Sequence, residues 1–413
     1  MPKYANYLPD EILLEVLSYI EAWDIQSRQT ALVNFSYVSR QWYDVAIQPL
    51  YDSPYLSGRA YDLFVRTICP SVLAHIKKQN LAHLIRVLDL SHIIHQGTKS
   101  TTARLLGRTK ASLQVFIAPQ ASFAINCWAA LSKCSLLRTL NLQLVSECIS
   151  FQALAQTLRQ LPALTALHLP RCTSADAPAL SIHVRWPPRL AHLALAGALH
   201  GRFLWDLLRS DAFPPSLTSL AVSHAPALDA AALRPLLACL ADSLTRVELR
   251  DLPAVRHGRL NAVLEWLPHL THLTIALDYI DARFGGMPGD WAADRWREAR
   301  PLQALELVSS GQMSVDPGRC FTAVDLYALI DERFLGRLRW LSVAQSCEWE
   351  REQEGAEIGA LEMLVEDLDR ESWEARRWHY EGVDRGAEQT YEEWVKTPLG
   401  RRMRAQVWIV KDR

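Results

Sequence analysis

One motif recurs through most of this chain: Leu-x-x-Leu-x-Leu, spaced so that each copy has room for one strand, one helix and little else. Its anchors fall at Ile85, Leu113, Leu137, Leu164, Leu190, Leu217, Leu244, Leu270, Leu302 and Leu338, separated by 28, 24, 27, 26, 27, 27, 26, 32 and 36 residues. The clearest copies read LRTLNL, LTALHL, LAHLAL, LTRVEL, LQALEL and LRWLSV. A regular period of this length marks stacked units, each too small to bury its own apolar face. Between the copies lie ISFQALAQTLRQL, FLWDLLRS, DAAALRPLLACLA and NAVLEWLP, whose apolar residues follow helical spacing. The expected class is therefore α/β, a solenoid of strand–helix repeats. The two long intervals hold GGMPGDWAADRWREAR (285–300) and VSSGQMSVDPGRC (308–320), which read as surface excursions.

The pattern resembles leucine-rich repeats over residues 81–345, in degenerate form. In LTALHLPRC the family's Asn/Cys position is filled by Cys172, but Ala198, Ala225 and Leu252 stand there in the next three copies. Cys172 is accordingly expected to pack in the interior. Because side chains alternate along a strand, the leucines point inward and the third, fifth and seventh positions line the opposite, concave side. That side begins with a nearly uncharged floor: Ala166, His168, His192, Ala194, Ala196, Ser219, Ala221 and Ser223. It becomes polar at Arg246, Glu248, Arg250, His272, Thr274 and Glu306 and ends on Trp340. Arg and Trp are favoured anchors of protein interfaces, so Arg246, Glu248, Arg250, His272 and Trp340 are the candidate client-binding residues.

Ahead of the repeats, LPDEILLEVLSYI (8–20) begins with Pro9, Asp10 and Glu11, a well-marked helix start. Ile12, Leu13, Val16, Leu17 and Ile20 form one apolar stripe, while Leu14 and Tyr19 leave a second apolar surface. A second apolar segment, Ala31 to Phe35, leads into SYVSRQWYDVAIQPLYDS, where Val38, Trp42, Val45 and Pro49 keep helical spacing up to the proline. Three short helices cannot bury this much apolar surface alone. The pairing of LPDEI with VSRQW is similar to the F-box, whose helices dock onto a Skp-family adaptor that in turn holds a cullin. The resemblance covers residues 1–55 and implies adaptor contacts at Leu8, Pro9, Ile12, Leu13, Val16, Val38 and Trp42. Pro9 and Trp42 lie 33 positions apart, farther than in a compact F-box, which leaves the course of the second helix open.

Residues 56–80 read as a helical linker and residues 346–413 as an acidic, Trp-rich cap. In the latter, Leu361, Leu364, Val365 and Leu368 mark an amphipathic helix that would cover the open end of the last repeat. The chain carries 44 Lys+Arg against 45 Asp+Glu, which gives no reason to expect nucleic acid or an anionic membrane as partner. It has no run of about 18 apolar residues and no signal-peptide pattern, and its eight cysteines form no CxxC pair and are scattered through apolar segments, as buried free thiols are, so an intracellular, reducing setting is expected. No nucleotide-binding, hydrolase or metalloprotease motif is present, and His92/His95 and His269/His272 lack neighbouring ligands. No cofactor, metal or catalytic residue is expected. The implied role is a substrate-recognition adaptor of a Skp–cullin–F-box ubiquitin ligase; a repeat scaffold outside any ligase is the alternative.

Overall fold

The computed structural model describes residues 8–70, 81–93, 98–174, 184–210, 213–285, 299–310, 320–347, 349, 355–380 and 390–411. Most of both predicted insertions (286–298 and 311–319), His95, and residues 71–80 of the expected linker lie outside them. The chain divides into two compact units, residues 1–177 with 181–190 and residues 178–180 with 191–413; the division falls within the 81–345 repeat region.

The first unit opens with helices α1 (Asp10–Ile20), α2 (Ile25–Ser36), α3 (Arg40–Asp52) and α4 (Gly58–Ile68). Strands β1 (Val87–Asp89), β2 (Val115–Ile117), β3 (Thr139–Asn141) and β5 (Ala166–His168) follow, with β4 (Ile149–Ser150) and β6 (Thr173–Ser174) forming a separate parallel pair. Between them run α5 (Lys99–Thr109), α6 (Ile125–Leu131) and α7 (Phe151–Leu158). β1, β2, β3 and β5 pair in parallel, each with the next, so that Leu88, Phe116, Leu140 and Leu167 stand in one register row. All four are completely buried. A parallel ladder of this kind is the direct consequence of one strand per repeat with a helical return on one face.

The second unit repeats the plan with β7 (His192–Leu195), β8 (Ser219–Ser223), β9 (Arg246–Arg250), β10 (His272–Ala276), β11 (Ala304–Val308), β12 (Trp340–Ala344) and β13 (Gln406–Val410). Helices α8 (Gly201–Ser210), α9 (Ala230–Cys239), α10 (Val263–Trp266) and α11 (Ala323–Asp331) supply the returns. The inward rows run Leu193, Leu220, Val247, Leu273, Leu305, Leu341 and Leu195, Val222, Leu249, Ile275, Leu307, Val343, all buried. Every one of the ten anchors named above is buried to within 1%. The hydroxyls of Thr218, Thr245 and Thr271 each donate to a main-chain carbonyl of the preceding repeat, at 3.4, 3.3 and 2.9 Å. At the other end of the strands the turn needs a left-handed residue at 27-residue intervals: Gly197, His224 and Asp251 have φ of 97°, 51° and 45°. Glycine adopts this freely, whereas the other two cost about 1 kcal/mol each, and their side chains, His224 Nδ1 and Asp251 Oδ2, hydrogen-bond one another.

Three local expectations are corrected. α3 does not stop at Pro49 but runs through it to Asp52, because Ala46 in the turn before the proline and Leu50 just after it are both buried in the helical core. Cys172 is exposed. The interior place is taken one residue later by Thr173, 1% exposed, whose hydroxyl donates to the Pro170 carbonyl at 2.7 Å. The cysteines as a group are not all buried: Cys69, Cys127, Cys134 and Cys347 are, but Cys148, Cys172 and Cys239 are exposed.

The tail forms α12 (Gly355–Tyr380), α13 (Tyr391–Lys396) and α14 (Pro398–Met403) before returning as β13, which pairs in parallel with β12. Leu361, Val365 and Leu368 are buried on the apolar face of α12. One carboxylate ties these pieces together. Asp369 has no exposed side-chain surface and accepts from the Arg339 guanidinium, from the Tyr391 hydroxyl at 3.0 Å and from the Ala405 amide at 3.0 Å. Burial, and then the negative charge of Asp369, push the Tyr391 phenol well above its usual range.

Two outcomes follow. Replacing Asp369 with alanine leaves the buried Tyr391 hydroxyl and the partly buried Arg339 guanidinium and Ala405 amide without this acceptor, and should lower stability by about 3–5 kcal/mol. Urea denaturation would check this; a loss under about 1 kcal/mol contradicts the hub's importance. Burial raises the Cys134 thiol to about 11 and also raises Cys69 and Cys127. Since the thiolate is the reactive form, iodoacetamide applied to the native protein should label Cys148, Cys172 and Cys239 and spare Cys134, as read by mass spectrometry.

Candidate functional site

The first three helices make a small module with its own core. Leu13, Leu17 and Ile20 from α1, Leu32 and Phe35 from α2, and Ala46 and Leu50 from α3 are buried together. Two N-caps set the helix starts: Asp24 accepts from the amides of Gln26 and Ser27 at 3.1 and 3.0 Å, and Ser39 accepts from the Trp42 amide at 3.4 Å. Hydrogen bonding to Ser27 holds the Asp24 carboxyl below its ordinary value. The Trp42 ring lies 4.1 Å from that of Phe35, centroid to centroid, so this residue is half given to the core. Pro9 sits at the N-cap of α1, and Gln41 Nε2 reaches back to the Leu8 carbonyl at 2.6 Å and to Asp10 Oδ1 at 2.7 Å. Thus the Leu8–Pro9 corner is clamped to the start of α3, and Gln41, which sequence reasoning passed over inside VSRQW, is the clamp.

The single stripe expected on α1 divides in two, and Tyr19, expected beside Leu14 on a second surface, joins Leu8 in extending its outer part, while Leu14 lines a groove elsewhere. Leu13, at 0% exposure, with Leu17 and Ile20 serves the module's interior, whereas Leu8 at 42%, Ile12 at 49%, Val16 at 41% and Tyr19 at 69% remain open to solvent. Their spacing of four, four and three residues places them on one side of the helix. Trp23 and Ile25 just beyond, and Tyr37 beside Val38 in the turn before α3, are also exposed; the sequence signal for Trp23 was its continuation of the same spacing. On the far side of α1, Leu14 and Leu17 join Leu32, Val45 and Pro49 around a groove of about 400 Å³. The groove ends at Asp52 and Arg86, which form an ion pair at 3.4 Å and join α3 to the first repeat through an Arg86 amide to Asp52 carbonyl bond at 3.0 Å.

The second set of candidates lies on the face of the second unit opposite the leucines. Arg246, His272, Ala304 and Trp340 share one register row, and Glu248, Thr274, Glu306 and Ser342 the next. Arg250 pairs with Glu248 at 2.8 Å and with Glu306 at 3.0 Å, and Thr274 donates to Glu306 at 2.9 Å. These charges therefore largely satisfy each other. His192 hydrogen-bonds Ser219 at 2.8 Å; burial, with the nearby Arg246 charge, lowers the pKa values of both His192 and His272. β13 adds a residue that sequence reasoning missed, Trp408, opposite Ser342 and on the same face as Trp340. Among the described residues no three His, Cys, Asp or Glu side chains converge as a metal site, and no helix is long and apolar enough to cross a membrane.

Residues 5–57 match the F-box-like family model. The chain is 27% identical over 380 residues to F-box protein YDR306C of Saccharomyces cerevisiae, covering 88% of this chain and 75% of the relative. It is 26% identical over 339 residues to protein pof5 of Schizosaccharomyces pombe, covering 81% and 89%. A crystal structure of a Bacteroides fragilis protein is similar at 15% identity and a TM-score of 0.32, over 61% of this chain and 66% of that one. The three-helix module is an F-box-like domain, at the head of a chain similar over most of its length to fungal F-box proteins.

Proposed function

We propose that this chain is a non-catalytic, substrate-recognition adaptor of a Skp–cullin–F-box ubiquitin ligase. The observation that carries the reading is the exposed apolar row Leu8, Ile12, Val16 and Tyr19 on a module whose core is complete without it. A row of this kind on a small helical unit needs a partner to cover it, and the F-box-like match supports a Skp-family adaptor as that partner. Leu8, Pro9, Ile12, Val16 and Val38 make the contact. Leu13 acts from within by fixing α1 on the core, and Trp42 does part of each task. The cullin is reached through the adaptor. The repeats hold a protein client with Arg246, Glu248, Arg250, His272 and Trp340, and a conjugating enzyme brought by the same assembly performs the chemistry. The chain's contribution is effective concentration, turning a rare encounter into a held geometry.

Co-purification with a Skp-family adaptor tests the docking step. Ile12→Ala and Val16→Ala should leave the fold intact and weaken capture, each by up to about 2 kcal/mol, or about 30-fold. Leu13→Ala should act differently, costing about 2–5 kcal/mol of stability through the cavity it opens. Wild-type protein that captures no such adaptor removes the ligase reading and leaves a repeat scaffold.

A further inference from the structure

We propose that the concave face of the second unit binds an extended client segment bearing an anionic side chain about four residues from a bulky apolar one, the anion on Arg246 and the apolar group beside Trp340 and Trp408. This deepens the client-binding reading above and rests on it.

The argument begins with which charges are already used. In the row of Glu248, Thr274 and Glu306, both carboxylates are held by Arg250. The neighbouring row runs His192, Ser219, Arg246, His272, Ala304, Trp340 and Gln406, without a carboxylate. Arg246, third in this row, is exposed, and among the described residues no carboxylate lies within ion-pair distance of it. Its neighbours in the row are Ser219 and His272, polar groups that bring no negative charge. An exposed guanidinium on a sheet face, flanked by hydrogen-bonding groups, matches a carboxylate or phosphate oxygen pair.

The second anchor is aromatic. Trp340 is paired across the ladder with Gln406, and Trp408 lies two residues further on, opposite Ser342. Strand separation and residue rise put the two tryptophan positions about 8 Å apart on one face. Trp408 is 38% exposed, while Ser342, its partner across the ladder and two residues beyond Trp340, is 9% exposed, so only one small side chain separates the two tryptophan positions. Such an arrangement suits insertion of an apolar side chain. Arg246 and Trp340 are three strand steps apart, about 14 Å at about 4.8 Å per step, which an extended peptide crosses in about four residues. The intervening His272 and Ala304 leave room for its backbone.

Fluorescence anisotropy with short synthetic peptides and the full-length chain tests this. The probes carry Glu at about four residues before Leu, phosphoserine in place of that Glu, Ser in its place, or Glu directly beside Leu. The spaced anionic peptides should bind at least ~10-fold more tightly than the last two, and the stronger of Glu and phosphoserine names the source of the anion. Arg246→Gln should reduce binding of the anionic probes ~10-fold and leave the Ser probe unchanged, and Trp408→Ala should weaken every probe. Equal binding of all four peptides, or no binding by a chain that still captures a Skp-family adaptor, overturns the inference while leaving the adaptor reading in place. Peptide binding by a chain that captures no adaptor supports the inference and rejects the ligase reading.

Discussion

Everything else in the repeat region depends on one constraint: a short strand cannot bury its anchor leucine until the next strand lies beside it in register. Leu88, Phe116, Leu140 and Leu167 in one unit, and the two long rows from Leu193 to Leu341 and Leu195 to Val343 in the other, are buried because each repeat closes over its neighbour. Burial of this kind is worth about 1.5–3 kcal/mol per large apolar side chain, gained only when the stack forms. The alternation that sends leucines inward leaves Arg246 exposed and His272, Ala304 and Trp340 only partly buried. Side-chain chemistry can therefore vary along Arg246, His272, Ala304 and Trp340 while the fold stays fixed.

The N-terminal module solves the opposite problem. Its three helices are too small to hide all their apolar residues, so α1 serves two surfaces at once: Leu13, Leu17 and Ile20 hold the module together, and Ile12, Val16 and Tyr19 are left over. A single wheel position separates the two sets, which is why residues adjacent in sequence have different roles. Caps at Asp24 and Ser39 and the Gln41 clamp fix the angle at which the outer row is presented, and a preformed surface loses less ordering entropy on binding.

Features with a period were legible in the sequence, and features made by single long-range contacts were not. Ten anchors, four of the helical returns and the alternation of the concave face could be read because each repeats a physical requirement. The two fates of the α1 stripe could not, since helical spacing says that residues share a side, not which neighbour covers it. Pro49 hid the end of α3 because packing of Ala46 and Leu50 outweighed the missing amide. Cys172 misled because a degenerate repeat moved the interior position to Thr173. β13 escaped because QVWIV carries no Leu-x-x-Leu ahead of it and reaches β12 only after three helices; its alternating Val, Ile and Trp were the available signal.

That last strand changes what the tail is for. A terminal repeat needs its open edge covered, and α12 with β13 does this. Yet the covering strand also brings Trp408 to the face that carries Trp340, so the aromatic end of the face is assembled from segments more than sixty residues apart in sequence. What joins them is Asp369, buried between Arg339 at the start of β12, Tyr391 at the start of α13 and Ala405 at the start of β13. A buried carboxylate with three directional partners is a better register pin than an apolar contact of equal size, because sliding β13 by one residue would both unpair the Ala405 amide and turn Trp408 to the opposite face. The polar hub on the inside thereby fixes which side chains the outside can offer.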